Sequence, residues 1–278
     1  MSSARELSPT GEPRAELALI DWRQAWLAPL RALGEKAAGR VTVDGMRVSA
    51  ALNAALPAAL RMQGFRFVEQ GDLPPGVAYE QFIHGERRIP TRENLHDFFN
   101  GLIWLHFPHT KRLFNQWQAG AIRDRGVGAV RGPLRDAVTV FDENGALLIA
   151  PEPLRAALRR REWRRLGAEL RPLWARAQLI PLGHALLEKL VHPRKPITAH
   201  VFIAEDCDCG LANADADAWM AALFTPEEFA AKPFNPLPVL GVPGWWSENE
   251  NFCFYDDPLV FRGGARKISQ HPGTAADR

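Results

Sequence analysis

Three side chains in PTRENLHDFFNGLIWLHFPHTKRLFNQW, residues 90 to 117, could do chemistry. His96 carries an imidazole, the side-chain type best suited to act as a general base at neutral pH. Asp97 can orient such a ring or help to bind a divalent ion, and Asn100 can hold a substrate by its amide. His96 and Asn100 stand four residues apart, so a helix here places them one above the other. Two readings follow. The trio lines a pocket, or it holds neighbouring backbone in place without chemistry, since a buried imidazole or amide must find partners in either case.

Farther along the chain, Arg135 can neutralise a carboxylate or phosphate, and Asp136 offers a second carboxylate. His200 adjoins an apolar strand, ITAHVFIAE, and either packs there or joins His96 in a cleft. Together His96, Asp97, Asn100, Arg135, Asp136 and His200 suit a hydrolase or phosphate-processing enzyme that uses an attacking water, because no serine or cysteine nucleophile motif stands out. No cofactor or metal is specified. His184 and Glu188, one helical turn apart, read as an exposed pair or as two ligands at a metal edge. CDCG at 207 to 210 lacks paired CxxC hooks, and Cys253 is the only other thiol. Glycines 126, 128 and 132 lack the strand and helix context of a nucleotide fingerprint.

These residues need elements to hold them. Leu95, Phe98, Phe99, Leu102, Ile103, Leu105 and Phe107 spread over more than half of a helical wheel, which predicts an enclosed helix starting near Arg92 with Thr91 as cap. Pro108 ends or kinks it before TKRLFNQW resumes. Upstream, 17 to 33 and VSAALNAALPAALR predict helices, whereas Phe65 to Val68 and Tyr79 to Ile83 predict short strands. Downstream, Ala137 to Phe141 and Ala146 to Ile149 flank DENG, a hairpin signal that makes Asp142 a turn residue. Residues 153 to 176 form a helix-like run with eight arginines against two glutamates, read as a solvated or acid-paired face in preference to a phosphate surface. Leu182 to Val191 and DADAWMAALF predict two more helices. The proline-rich tail is expected to wrap the domain through Phe234, Leu237, Val239, Trp245, Trp246, Phe252 and Tyr255.

The expected fold is therefore α+β: a predominantly helical single domain with short strands, one β-hairpin and a long irregular aromatic-rich C-terminal cover. It spans 17 to 262, with 1 to 16 and 263 to 278 as flexible termini. A chain of 278 residues with 46% hydrophobic content supplies a core for it. No run of apolar residues is long enough to cross a bilayer, and the polar N-terminus has no secretory apolar region, so the cytoplasm is expected and a membrane is not. A net charge of +2 gives no general attraction to polyanions. Nucleic acid is thus a disfavoured partner, a small molecule is an open one, and oligomeric state is not specified. A binding or regulatory protein using the arginine run and the tryptophans, or a self-associating structural protein, are the alternatives to an enzyme.

The strings RENLHDFFNGLIWLHFPHTK, RGPLRDAVTVFDENG, KPITAH, PLPVLGVPGWW and FYDDPLVFR, in this order, resemble the bacterial DUF3025 family, whose function is unknown. The resemblance implies one continuous domain from about Leu17 to Arg262. It draws attention to His96, Asp97, Asn100, Arg135, Asp136, Asp142, His200, Asn249, Asp256 and Arg262, but brings no activity with it.

Overall fold

The computed structural model describes residues 11–126, 132–205 and 212–263. Gly128, Cys207 and Cys209, and the terminal segments 1–10 and 264–278, lie outside the described residues. Helix α1 (Gly11–Leu17) begins upstream of the boundary expected at Leu17, and the Arg14 guanidinium ties it to the Gly45 carbonyl at 3.0 Å. The helix expected over 17 to 33 is interrupted by turns and one short helical turn at Ala25–Leu27 before α2 (Arg31–Thr42). Pro29 has no amide hydrogen to continue a ladder there. Helices α3 (Val48–Asn53) and α4 (Ala58–Met62) are separated by Pro57, which stands extended just before α4.

Strands β1 (Arg66–Glu69) and β2 (Arg88–Thr91) pair in parallel, so the chain between them must cross over. Helix α5 (Tyr79–Glu86) makes that crossing, burying Phe82 and Ile83. The strand expected at Tyr79 to Ile83 is thus a helix.

The central helix α6 (Leu95–His106) is capped by Asn94, whose side chain accepts from the Asp97 amide at 2.8 Å, while Thr91 belongs to β2. Between Leu95 and Leu105 only His96 is not buried. Trp22 packs edge-on against Phe98 at 6.5 Å. At Gly101 an added Cβ would lie 2.2 Å from the Leu52 side chain, so α3 rests directly on the backbone of α6. Helix α7 (Pro108–Arg125) then starts on Pro108 at its first turn, where a missing amide hydrogen costs nothing.

Helix α8 (Pro133–Asn144) replaces the expected hairpin: Ala137 to Phe141 is helical and DENG is the helix end, with Gly145 at φ −77°, not a positive angle. A Cβ on Gly145 would sit 2.3 Å from the Phe141 carbonyl, so the glycine serves a tight helix-to-strand junction. Strand β3 (Gly145–Ile149) is buried along its whole length. Its partners come from farther away: β4 (Gln178–Pro181), after α9 (Glu152–Arg159), is antiparallel to it, and β5 (Thr198–Ala204), after α10 (His184–Lys189), is parallel. Helices α11 (Asn213–Leu223) and α12 (Pro226–Ala230) lead to β6 (Phe234–Pro238), which closes the sheet in the order β4-β3-β5-β6. Pro236 and Pro238 are tolerated because β6 is an edge.

The chain is an α+β domain dominated by helices. Among the described residues no helix is long and apolar enough to cross a membrane. Phe114, Phe141, Phe229 and Phe234 meet with ring centroids 5.1–6.0 Å apart along their chain of contacts, clamping α7, α8, α12 and β6 together. The irregular cover after β6 is anchored by Val239, Phe254, Tyr255 and Phe261, with Leu237 buried in β6 itself; Phe252, expected as an anchor, is exposed. Asn249 is fully buried and its amide donates to the Leu240 and Val242 carbonyls at 2.8 Å each.

Asp217 of α11 is fully buried and accepts from the His109 and Thr110 amides and the Thr110 hydroxyl at 2.8, 2.8 and 2.7 Å. It satisfies the orphan donors that open α7. Asp217→Ala is expected to lower unfolding stability by about 2–4 kcal/mol, measured by urea denaturation, because it strands those donors away from water.

Candidate functional site

Helices α5, α6, α7, α8 and α10 enclose a cavity of about 610 Å³. Each contributes a stripe at helical spacing. From α6 come His96 and Asn100, from α7 Lys111, Asn115 and Gln118, and from α8 Arg135, Thr139 and Asp142. Tyr79 and Glu80 enter from α5, and His184 opens α10. Ile83, Trp104, Phe114 and Ile122 supply apolar wall. The volume and the mixture of apolar surface with a few convergent polar groups are those of a small-molecule site.

Lys111 is the hub. Its side chain is buried, and its ammonium donates to Asp142 Oδ1 and Oδ2 at 2.6 and 2.8 Å and to Asn100 Oδ1 at 2.9 Å. Asn100 in turn donates its amide to the Tyr79 hydroxyl at 3.2 Å. Burial would raise the Asp142 carboxyl, but the charges of Lys111 and His184 outweigh it and hold the group below its ordinary value. Burial also pushes the Tyr79 phenol well above its ordinary range, keeping it a neutral donor.

Glu80 behaves in the opposite way. Removal from water raises its carboxyl to about 7, against hydrogen bonding from Asn115 and the more distant charge of Lys111. Asn115 Nδ2 donates to Glu80 Oε2 at 2.6 Å. Two carboxyl groups of one cavity are therefore driven apart, Asp142 held as an anion and Glu80 poised near neutrality, as acid and base roles require.

At the rim, His96 Nδ1 lies 2.8 Å from Glu188 Oε2, and its Nε2 lies 3.0 Å from Nε2 of His184. His184 is buried, which lowers its pKa to about 4. Its Nδ1 faces Asp142 Oδ2 at 3.7 Å. Among the described residues no three His, Cys, Asp or Glu side chains converge as a metal cage.

Four of the six residues singled out from the sequence, His96, Asp97, Asn100 and Arg135, line this cavity. Asp97 is occupied there: its carboxylate accepts from the Arg92 amide at 2.6 Å and from the Arg92 guanidinium at 2.9 and 3.1 Å, holding the start of α6. Arg135 Nε is buried without a hydrogen-bond partner. Asp136 faces away and pairs with Lys232 on the surface. His200 lies in β5 beside the Phe234 ring, with its pKa lowered by burial and then by Lys189 and Lys232, and does not reach the cavity. Neighbouring positions in the chain are no guide here, since residues 135 and 136 of one helix point about 100° apart.

Sequence reasoning missed Tyr79, Glu80, Lys111 and Asp142 as site residues, and read His184 with Glu188 as an exposed pair or a two-ligand metal edge. Reading 79 to 86 and 133 to 144 as helices would have aligned Arg135, Thr139 and Asp142 at i, i+4 and i+7 on one face. The arginine run is a short helix and turns in which most of the charges are matched, Arg160 with Glu162, Arg164 with Asp256, and Arg155 and Arg159 with Glu205.

Because Lys111 and Asp142 are both buried, Lys111→Met is expected to cost about 3–5 kcal/mol by leaving the carboxylate unpaired. Adding Asp142→Asn should recover part of that loss; a double-mutant cycle by chemical denaturation measures the coupling.

No curated protein and no solved structure matches the chain. A family described as protein of unknown function (DUF3025) matches residues 65–265, which include every residue named above as lining the cavity. The match leaves α1 to α4 outside it and begins at the approach to β1. On this match, over most of its length, the chain belongs to the DUF3025 family.

Proposed function

We propose that the chain is an acid–base enzyme, a hydrolase or phosphate-processing enzyme, that draws a small anionic molecule into the cavity between α5, α6, α7, α8 and α10. The observation that carries this reading is Glu80, a carboxyl with a pKa of about 7 that shares one cavity with an arginine nitrogen lacking a hydrogen-bond partner. A group titrating near the working pH can both accept and return a proton. Arg135 neutralises the carboxylate or phosphate of the substrate.

The roles expected for His96 shift with the geometry. Its Nδ1 is engaged by Glu188 and its Nε2 by His184, so neither ring nitrogen is free to accept a proton while these contacts last. Glu80 is the better base. Among the described residues no serine or cysteine lines the cavity, which favours a water nucleophile. Ionised Glu80 takes a proton from water as the new oxygen bond forms, then delivers it to the departing group as the old bond breaks. Tyr79, held neutral by burial and joined to Asn100, is placed to donate a hydrogen bond to the substrate. Asp97, Asp136 and His200 have no part in this scheme. A binding protein built on the arginine run finds less support, because those guanidiniums already meet acids and Trp245 packs against Trp26 at 5.9 Å.

The test is a screen of phosphate esters and carboxylic esters and amides for turnover. A substrate should be found whose rate changes with a break near pH 7, is lost in Glu80→Gln, and shows a KM raised at least tenfold in Arg135→Ala. No turnover with either class, or full activity in Glu80→Gln, would falsify the reading.

A stability measurement separates function from architecture. The Glu80 pKa is about 7 in the fold against an ordinary 4.5, so its contribution is fully present below pH 4.5 and is lost as pH rises through 7. The loss amounts to about 3 kcal/mol. Glu80→Gln should therefore be more stable than the parent at pH 8 and closer to it at pH 4, read from denaturation midpoints at the two pH values.

A further inference from the structure

We infer that His96 and His184 form a binding site for one divalent first-row transition-metal ion, held between their Nε2 atoms with its remaining positions open to the cavity. The starting observation is the separation of the two Nε2 atoms, 3.0 Å, with the ring planes at 87°. His96 Nδ1 is hydrogen-bonded to Glu188 at 2.8 Å, whereas His184 Nδ1 is buried without a hydrogen-bond partner and faces Asp142 Oδ2 at 3.7 Å. A carboxylate favours N–H on the nitrogen it faces. With the N–H on Nδ1 in both rings, each turns a lone pair inward, and a cation between the two Nε2 atoms takes the place of the N–H···N hydrogen bond that joins them here.

A carboxylate behind Nδ1 with Nε2 directed at a common point is the usual arrangement of metal-binding imidazoles. Two bonds of about 2.0–2.1 Å spanning this gap would meet at roughly 95°, near an octahedral angle and a few tenths of an ångström short of a tetrahedral separation. With only two ligands from the described residues, the ion has several positions for water and for an oxygen of an anionic ligand. Arg135, Tyr79 and Glu80 line the same cavity, so a substrate oxygen on the ion would have a cation, a neutral donor and a proton carrier in one enclosure. The inference shares the cavity with the proposed function, but metal uptake is read on the protein alone, so either idea can fail without the other.

The experiment is equilibrium dialysis of the full chain, stripped with chelator, against Co(II) and Zn(II), with the visible spectrum of the cobalt form. The expected result is one equivalent bound, lost in His96→Ala and His184→Ala, and weakened 10- to 100-fold in Glu188→Gln. Glu188 lies at the rim, 40% exposed, so its replacement keeps the test open even where a histidine variant does not fold. No uptake by the parent, as expected of a pair that shares a proton instead, overturns the site. So does uptake unchanged in folded His184→Ala, or an unchanged affinity in Glu188→Gln.

Discussion

A buried ammonium group holds this structure's centre. Lys111 projects from α7 and is satisfied by Asn100 of α6 and Asp142 of α8, so one charged atom fixes the mutual positions of three helices. Apolar packing could have joined them with less desolvation, since a buried ion pair is often no more stabilising than hydrophobic residues of the same volume. What the pair provides is a polar interior at a defined place. Around it the walls separate, leaving space, whereas on an adjoining face of the same turns of α7 and α8 Phe114 and Phe141 pack into the phenylalanine cluster.

The electrostatics of the cavity follow from this arrangement. Asp142 stays ionised because it touches Lys111; Glu80, farther from that charge and removed from water, does not gain enough to stay ionised at acidic pH. Geometry alone gives two chemically similar groups different proton affinities. The neutral Tyr79 and the Asn100 amide extend the polar interior toward α5, and the histidine pair extends it toward the rim. Each element reaches the cavity with residues that a conventional core helix would replace by leucine or phenylalanine.

Local signals in the sequence carried the helices well where their period was uninterrupted. The α6 stripe, the break at Pro108, the strand at His200 and the aromatic C-terminal cover were all legible, and His96 and Asn100 were recognisable by their place on an otherwise apolar helix. Two errors had one cause. Asn144–Gly145 is a strong turn pair, and Tyr79 to Ile83 has strand-like composition, yet in both places a non-local partner decided the outcome: β3 pairs with β4 and β5, and β1 with β2. Misreading those helices hid Glu80 and Asp142. Asp136 was chosen as a carboxylate and His200 for its place beside an apolar strand, and nothing in a linear pattern reports which way a surface carboxylate turns or which side of a sheet a ring occupies.

The seat of α3 on Gly101 has a practical consequence. Residues 11 to 64 lie outside the family match, but Leu52 sits against the bare backbone of α6 and Trp22 covers Phe98. A recombinant fragment trimmed to the matched segment would expose that apolar strip, which invites clumping during expression. The upstream helices are thus the lid of the core rather than an accessory, and any shorter version must retain them or replace the covered surface with polar residues.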